Sequence, residues 1–168
     1  MKAGTLTIMV GGPEHAYDLV EPVLRELGTP VHIGPNGQGL VLKLAINISL
    51  AVQMLAFAEG LLLAEKSGVD RQRALDVMTA SSIGSPMLKA RASIIFDLPD
   101  EAWFPISFMQ KDIELARDAG RQLDVPLPTT DRADEILEQA RAMGYEHRDL
   151  AAVFELLEQL ASERGRAA

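Results

Sequence analysis

The stretch GLVLKLAINISLAVQMLAFAEGLLLAEKS, residues 39–67, decides the fold because it is the most apolar segment of the chain. Apolar residues occupy almost every position around its helical turns, which is typical of a helix buried by neighbours on several sides. The segment is long enough to span a bilayer, but Lys43, Asn47, Gln53 and Glu59 inside it would each be costly in lipid. We therefore predict a buried core helix and no membrane partner.

Downstream of this segment the hydrophobic pattern is helical throughout, with glycine or proline between successive periodic segments. Asp70 is a predicted N-cap, and Thr129 or Thr130 is predicted to cap a later helix. The predicted helices cover residues 70–78, 87–96, 108–123, 130–143 and 149–161. We therefore predict an all-α domain over residues 37–163, followed by a short tail over residues 164–168.

Upstream, residues 5–10 alternate in polarity and predict a β-strand that ends at Gly11. Apolar residues at helical spacing then predict a helix that Gly28 closes, and residues 31–33 predict a second short strand. A two-stranded sheet is marginal by itself and has open edges, so we expect further strands ahead of this segment. The predicted fold is therefore mainly α, with a short βαβ unit over residues 1–36.

The composition argues against several functional classes. The net charge of −8 and the lack of a basic run outside residues 164–166 argue against a nucleic-acid partner. Because the chain has no cysteine, disulfide bonds and thiolate metal sites are excluded. The N-terminus does not have the basic-then-apolar form of a secretory signal, which favours a cytoplasmic protein.

Few other side chains suggest chemistry. His15, His32 and His147 are far apart in sequence and have no carboxylate at ligand spacing, so we predict no metal site. Trp103 and Phe104 either line a pocket or, as is more frequent for such residues, anchor an irregular segment by burial.

The glycine-rich stretch GPNGQGLVLK, residues 34–43, lies where the second strand gives way to the long helix. Backbone amides at a helix N-terminus can bind an anion. The stretch matches neither nucleotide motif, because a P-loop needs lysine where Leu40 stands and the dinucleotide fingerprint needs glycine where Leu42 stands. The glycines are therefore predicted to form a tight strand-to-helix turn that permits close packing.

Lys43 and Asn47 are four residues apart, so they share one face of the long helix near its start. An ammonium group in apolar surroundings is costly unless it is paired, faces a cleft or loses its proton. A functional pair is one interpretation. The other is that Lys43 extends to the surface while Asn47 satisfies a neighbouring backbone group, and spacing alone does not choose between them.

The motif Gly34-x-x-Gly37-x-Gly39-x-x-x-Lys43-x-x-x-Asn47 resembles the signature of the β-hydroxyacid dehydrogenases, the family of 3-hydroxyisobutyrate dehydrogenase and tartronate semialdehyde reductase. The resemblance covers nearly the whole chain, because four further motifs occur in the family's order. They are GTLTIMVGG at 4–12, FMQKD at 108–112, PLP at 126–128 and GYEHRD at 144–149. The resemblance implies a helical substrate-binding domain that follows the last part of a Rossmann-type dinucleotide-binding domain.

The same resemblance implies roles for individual residues. Lys43 matches the catalytic lysine, Asn47 matches the residue that holds the substrate beside it, and the backbone at Gly39 would line the substrate cleft. Lys111 matches the lysine that reaches towards the bound dinucleotide. On residue type alone, the step from Lys111 to Asp112 would be solvated helix surface.

The resemblance implies NAD or NADP as cofactor, a short β-hydroxyacid such as 3-hydroxyisobutyrate as substrate, and a homodimer formed through the helical domain. Ile46 stands where 6-phosphogluconate dehydrogenases have a histidine, which disfavours a phosphorylated sugar acid. The family's nucleotide fingerprint and its serine-glycine-glycine loop precede the position of Gly4, so we expect the cofactor and carboxylate sites to be incomplete. The alternative function is a non-catalytic helical dimerisation module that is inactive alone.

Overall fold

The computed structural model describes residues 6–167 and forms two compact units, one up to Asn47 and one from Ile48 onward. Gly4 and Thr5, at the start of the predicted first strand and of the first family motif, lie outside the described residues. Helices dominate and the strands of the described residues belong to the first unit, which confirms the mainly α fold. The boundary between the units falls inside the long helix, and the predicted domain division at residue 36 stays a prediction.

The N-terminal unit is a βαβ arrangement, as the sequence predicts. The strands β1 (Leu6–Gly11) and β2 (Gly28–Gly34) are parallel, and the helix α1 (Glu14–Arg25) joins them. The register pairs Leu6 with Gly28 and Val10 with His32, then becomes irregular at Gly11. Both strands therefore end at the same edge of the sheet.

The second strand starts earlier than the sequence indicates. Gly28 is the first residue of β2, so the predicted strand over residues 31–33 is too short and α1 ends before Gly28, at Arg25. A Cβ atom on Gly28 would lie 2.1 Å from the carbonyl oxygen of Leu6, so the close approach of the two strands requires glycine here. Glycine and Pro30 both have low strand propensity, which explains why the pattern concealed the first half of β2.

The long helix α2 (Gln38–Lys66) matches the predicted segment to within one residue at each end. Burial is confirmed for its centre, where the buried side chains are Ala51, Met54, Leu55, Phe57, Ala58 and Leu61. Burial does not hold at the ends, since Leu40 is 56% exposed and Leu63 is 74% exposed. By length and hydropathy α2 could cross a membrane, a test that core helices of soluble proteins also pass.

The second unit is all-α and consists of the rest of α2 and five further helices. These are α3 (Arg71–Ala80), α4 (Pro86–Arg91), α5 (Ile106–Gln122), α6 (Pro128–Ala142) and α7 (Val153–Ala167), the last preceded by a 3₁₀ turn over Leu150–Ala152. Their apolar faces form one core with the centre of α2. Met54, Leu61, Ile113, Leu137 and Phe154 are among its fully buried side chains.

The helix ends show which local sequence signals predicted the start or end of a helix correctly and which did not. Asp70 caps α3 as predicted, because its carboxylate accepts a hydrogen bond from the amide of Arg73 at 2.9 Å. The predicted cap of α6 is wrong: Leu127 is the N-cap and Pro128 occupies the first helical position, which proline favours. The helix α4 ends at Arg91 instead of residue 96, and α7 extends to Ala167, into the predicted tail.

Candidate functional site

The turn between β2 and α2 depends on glycine at three positions. Gly34 and Gly37 have φ angles of +141° and +91°, a region that side-chain-bearing residues rarely adopt. Gly39 is needed for another reason, since a Cβ atom there would lie 2.6 Å from the Met9 carbonyl oxygen and 2.9 Å from the Gly11 amide nitrogen. The prediction that these glycines form a tight turn and permit close packing is confirmed.

The first turn of α2 presents backbone amides at the edge where the two strands end. The amide of Gln38 donates to Pro35 and that of Val41 to Gly37. Between them, the amides of Gly39 and Leu40 donate to no backbone carbonyl within residues 6–167. Such amides, together with the helix dipole, can bind a carboxylate.

Replacing Gly39 with alanine is expected to destabilise the N-terminal unit by about 1–3 kcal/mol, because the added methyl group would collide with the backbone of β1. Thermal unfolding and amide hydrogen exchange in β1 measure the effect. Gly60→Ala is the matched control on the same helix, since its methyl group would meet only the flexible end of Met78, at 3.2 Å. Equal exchange rates in the two variants would contradict the prediction.

A pocket of about 510 Å³ opens at the same edge of the sheet, between Gly12, Glu14, His32 and Asn36. Ring nitrogen Nε2 of His32 lies 2.7 Å from the Gly12 carbonyl oxygen, so this nitrogen carries the proton and donates it. The ring stacks on Tyr17 at 5.0 Å between centroids. Desolvation and the nearby Glu21 carboxylate raise the pKa of Tyr17, so its hydroxyl stays protonated at neutral pH. The hydrogen bond to Gly12 and the stacking on Tyr17 therefore fix the position of the His32 ring in the pocket wall.

The structure places Lys43 and Asn47 on one face of α2, with Gly39 one turn before Lys43. The helical rise separates the Lys43 and Asn47 backbones by about 6 Å, close enough for both side chains to contact one small molecule. Both residues are half-buried, so neither extends fully into solvent nor lies in packed hydrocarbon. Both also have interaction partners in the folded chain.

Lys111 belongs to the helical unit, whereas Gly39, Lys43 and Asn47 belong to the N-terminal unit. Its side chain is 61% exposed, and its ammonium nitrogen lies 3.1 Å from Oδ1 of Asp112. Asp112 is almost completely buried, so the step from Lys111 to Asp112 is not simply solvated surface. The exposed ammonium remains available to an anionic ligand.

A buried network around Asp149 is the main feature that sequence reasoning missed. Asp149 is fully buried, and its Oδ1 accepts hydrogen bonds from Arg91 Nε and from the Ala151 amide, both at 3.0 Å. Its Oδ2 accepts from the amide of Phe104 at 2.9 Å. One carboxylate thus holds α4, the segment before α5 and the start of the last helix together. The sequence marked Asp149 as an aspartate at a helix start and as the last residue of the GYEHRD motif, but neither signal points to Arg91, which is 58 residues away.

The two aromatic residues of the irregular segment differ in exposure. Trp103 is 54% exposed, so the prediction of a buried anchor is wrong for this residue. Phe104 is half-buried and contacts Phe108 edge-to-face at 6.2 Å between ring centroids. Among residues 6–167, no group of three or more histidine, aspartate or glutamate side chains could hold a metal ion.

Two family models match adjacent parts of the chain. Residues 37–157 match the model described as the NAD-binding part of NADP-dependent 3-hydroxyisobutyrate dehydrogenase. Residues 1–35 match the NAD binding domain of 6-phosphogluconate dehydrogenase. The two matches meet at the turn between β2 and α2.

Curated relatives are similar along almost all of this chain. 2-(Hydroxymethyl)glutarate dehydrogenase of Eubacterium barkeri is 36% identical over 95% of the chain and 54% of the relative. 2-Hydroxy-3-oxopropionate reductase of Escherichia coli K12 is 31% identical over 97% of the chain and 56% of the relative. The chain therefore spans about half the length of the curated relatives it matches.

A solved structure shares the fold. Mycobacterium tuberculosis 3-hydroxyisobutyrate dehydrogenase, determined with L-serine, superimposes with a TM-score of 0.79 at 30% identity. The superposition covers 92% of this chain and 55% of the other. Sequence and fold comparisons thus point to the same group of oxidoreductases.

Proposed function

The chain belongs to the β-hydroxyacid dehydrogenase family, and from this premise we propose that it carries the substrate-binding and catalytic-lysine half of an NAD(P)-dependent oxidoreductase. The proposed reaction interconverts a short β-hydroxyacid and its semialdehyde. The names of the two curated relatives fit this class. Each names a carboxylic acid in which the carbon that is oxidised or reduced, a hydroxymethyl carbon in one and an aldehyde carbon in the other, is bonded to the α-carbon.

The observation that carries the proposal is the arrangement of Lys43, Asn47 and Gly39 on successive turns at the start of α2. In reduction, Nζ of Lys43 donates a proton to the carbonyl oxygen as hydride adds to the carbon; in oxidation it takes the hydroxyl proton. The Asn47 amide orients the reacting oxygen by hydrogen bonding. The backbone amides of Gly39 and Leu40 donate hydrogen bonds to the substrate carboxylate.

The cofactor proposed is NAD or NADP, which supplies or accepts the hydride when bound. Lys111 fits a role in holding it, because its exposed ammonium group can pair with a phosphate of the dinucleotide. The carboxylate of Asp112, which pairs with the Lys111 ammonium group, is buried and restrains the Lys111 side chain. We also propose a cytoplasmic location.

The second candidate function is a non-catalytic dimerisation module, and an apolar groove on the helical unit favours it. The groove is lined by Leu62 and Leu63 of α2, Ile136 of α6, and Leu157 and Leu160 of α7. Two acidic and two basic side chains surround it: Glu59, Glu163, Lys66 and Arg132. In a dimer with two-fold symmetry, the acidic side chains around the groove of one copy can lie opposite the basic side chains of the other copy. We therefore propose a homodimer through this face.

Binding measurements on the purified chain separate the two functions. We expect a dimer by sedimentation and no measurable NAD or NADP binding by calorimetry, because a dinucleotide needs more of the binding domain than one βαβ unit supplies. Reduction of NAD or NADP that depends on added 3-hydroxyisobutyrate would instead show an autonomous enzyme. A monomer would exclude the dimerisation module and leave the catalytic half to be tested with Lys43.

A further inference from the structure

The turn between β2 and α2 contains the dipeptide Asn36-Gly37. The amide of Gln38 donates to the Pro35 carbonyl at 3.2 Å, so these two residues close a β-turn. Gly37 is the third residue of this turn and has a φ angle of +91°, as type II turns require. The dipeptide therefore lies at the tip of a tight turn, ahead of the first residue of α2.

Asn36 and Gly37 are both exposed, and a Cβ atom on Gly37 would have no neighbour within 4 Å. The Asn36 side chain borders the pocket of about 510 Å³, where its Oδ1 lies 3.4 Å from the position that a Cβ atom on Gly12 would take. The Gly37 amide donates to no backbone carbonyl within residues 6–167. In this part of the chain, no backbone hydrogen bond of its own therefore holds the Gly37 nitrogen away from the Asn36 side chain.

An asparagine that precedes a glycine can react with its own backbone, because glycine has no side chain to hinder ring closure. The deprotonated amide nitrogen of Gly37 attacks Cγ of Asn36, a C–N bond forms, and the side-chain amide of Asn36 takes up a proton and leaves as ammonia. The product is a five-membered succinimide ring. Water opens this ring at either carbonyl carbon, which yields aspartate or isoaspartate, and no oxidant or reductant takes part.

Asn47 is the only other asparagine of the chain, and its surroundings differ. It is half-buried inside α2, and the next residue, Ile48, has a branched side chain beside its backbone nitrogen. A helical amide also donates to the carbonyl four residues before it, which holds the Ile48 nitrogen in place. Asn47 therefore serves as an unreactive reference for Asn36.

We propose that Asn36 deamidates spontaneously in the folded protein and that the conversion changes the turn ahead of α2. Either product carries a negative charge two residues before the start of α2, and isoaspartate also lengthens the main chain by one carbon. The turn has little spare room, because a Cβ atom on Gly11 would lie 2.9 Å from the Pro35 carbonyl oxygen and 3.1 Å from the Gly39 nitrogen. An additional main-chain carbon therefore shifts Gly39 relative to the end of β1.

Peptide mass spectrometry after incubation of the full chain at mildly alkaline pH tests the proposal without any need for enzymatic activity. Trypsin cuts after Arg25 and Lys43, so the two asparagines fall in different peptides. We expect the Asn36 peptide to gain the mass of an amide-to-acid conversion and to split into aspartate and isoaspartate forms. The conversion should be faster at higher pH, because the attacking nitrogen must lose its proton. Asn36→Gln should abolish it, since the longer side chain would have to form a less favourable six-membered ring.

Two further measurements make the test decisive. Incubation in guanidinium chloride gives the conversion rate without the fold, and we expect the folded chain to react at a similar rate. The converted chain, separated by anion exchange, should show shifted NMR signals for the Gly11 and Gly39 amides, whereas the signal of Gly60, further along the same helix, stays unchanged. The proposal is overturned if Asn36 is not converted, if Asn47 reacts equally fast, if unfolding accelerates the conversion by more than an order of magnitude, or if the Gly11 and Gly39 signals do not move.

Discussion

Lys43→Ala is expected to lower turnover by about 10²–10⁴-fold while leaving the fold intact, because it removes the group that transfers the proton. The side chain is half-buried near the start of α2, so shortening it should cost little stability. Turnover is measured with the chain fused behind the first half of the Escherichia coli 2-hydroxy-3-oxopropionate reductase, of which the chain matches 56%. The unsubstituted fusion must first reduce a semialdehyde.

Two comparisons make this result specific. Lys89→Ala removes an exposed lysine of α4 and should leave turnover unchanged. Asn47→Ala should raise KM as well as lower kcat, since the amide orients the substrate in the ground state too. Full turnover in Lys43→Ala, or an unsubstituted fusion that acts on no short β-hydroxyacid, would show that the proposed mechanism is wrong.

Asp149→Ala is expected to lower the free energy of unfolding of the helical unit by about 3–5 kcal/mol, the usual cost of removing one partner of a buried ion pair. Arg91 is only 13% exposed and would lose its carboxylate, and the amides of Phe104 and Ala151 would lose their acceptor. Urea unfolding followed by circular dichroism measures the difference.

The control for Asp149 is an ion pair of similar composition at the surface. Glu146 and Arg141 are 3.3 Å apart and about 40% exposed, so Glu146→Ala should cost less than about 1 kcal/mol. Arg91→Ala in the Asp149→Ala background should add much less than it costs alone, because the two residues stabilise the fold through one interaction. A loss below about 1 kcal/mol for Asp149→Ala would mean that water replaces the carboxylate.

Local periodicity was enough to predict most of the fold. The spacing of apolar residues located α2 to within a residue, and an aspartate before a helix correctly marked the start of α3. The pattern failed where a residue's conformation is set by a distant part of the chain. Gly28 forms part of a strand because it lies against Leu6, and no local signal reports that contact.

The candidate site was predictable only in part, for the same physical reason. Lys43 and Asn47 are neighbours on one helix, so their spacing in sequence fixes their spacing in the fold. Their roles came from the family resemblance and not from the spacing. The Asp149 network joins segments more than 40 residues apart in sequence, which periodicity does not relate.

The exposed indole of Trp103 gives this protein an internal optical reporter. The chain has a single tryptophan, and the next residue, Phe104, donates its amide to the buried Asp149 carboxylate. The fluorescence anisotropy of Trp103 therefore reports how strongly the hydrogen bond between the Phe104 amide and Asp149 restrains the motion of the surrounding segment. Because the chain also lacks cysteine, a single introduced thiol can carry an acceptor dye, and energy transfer from the indole then measures distances without any background label.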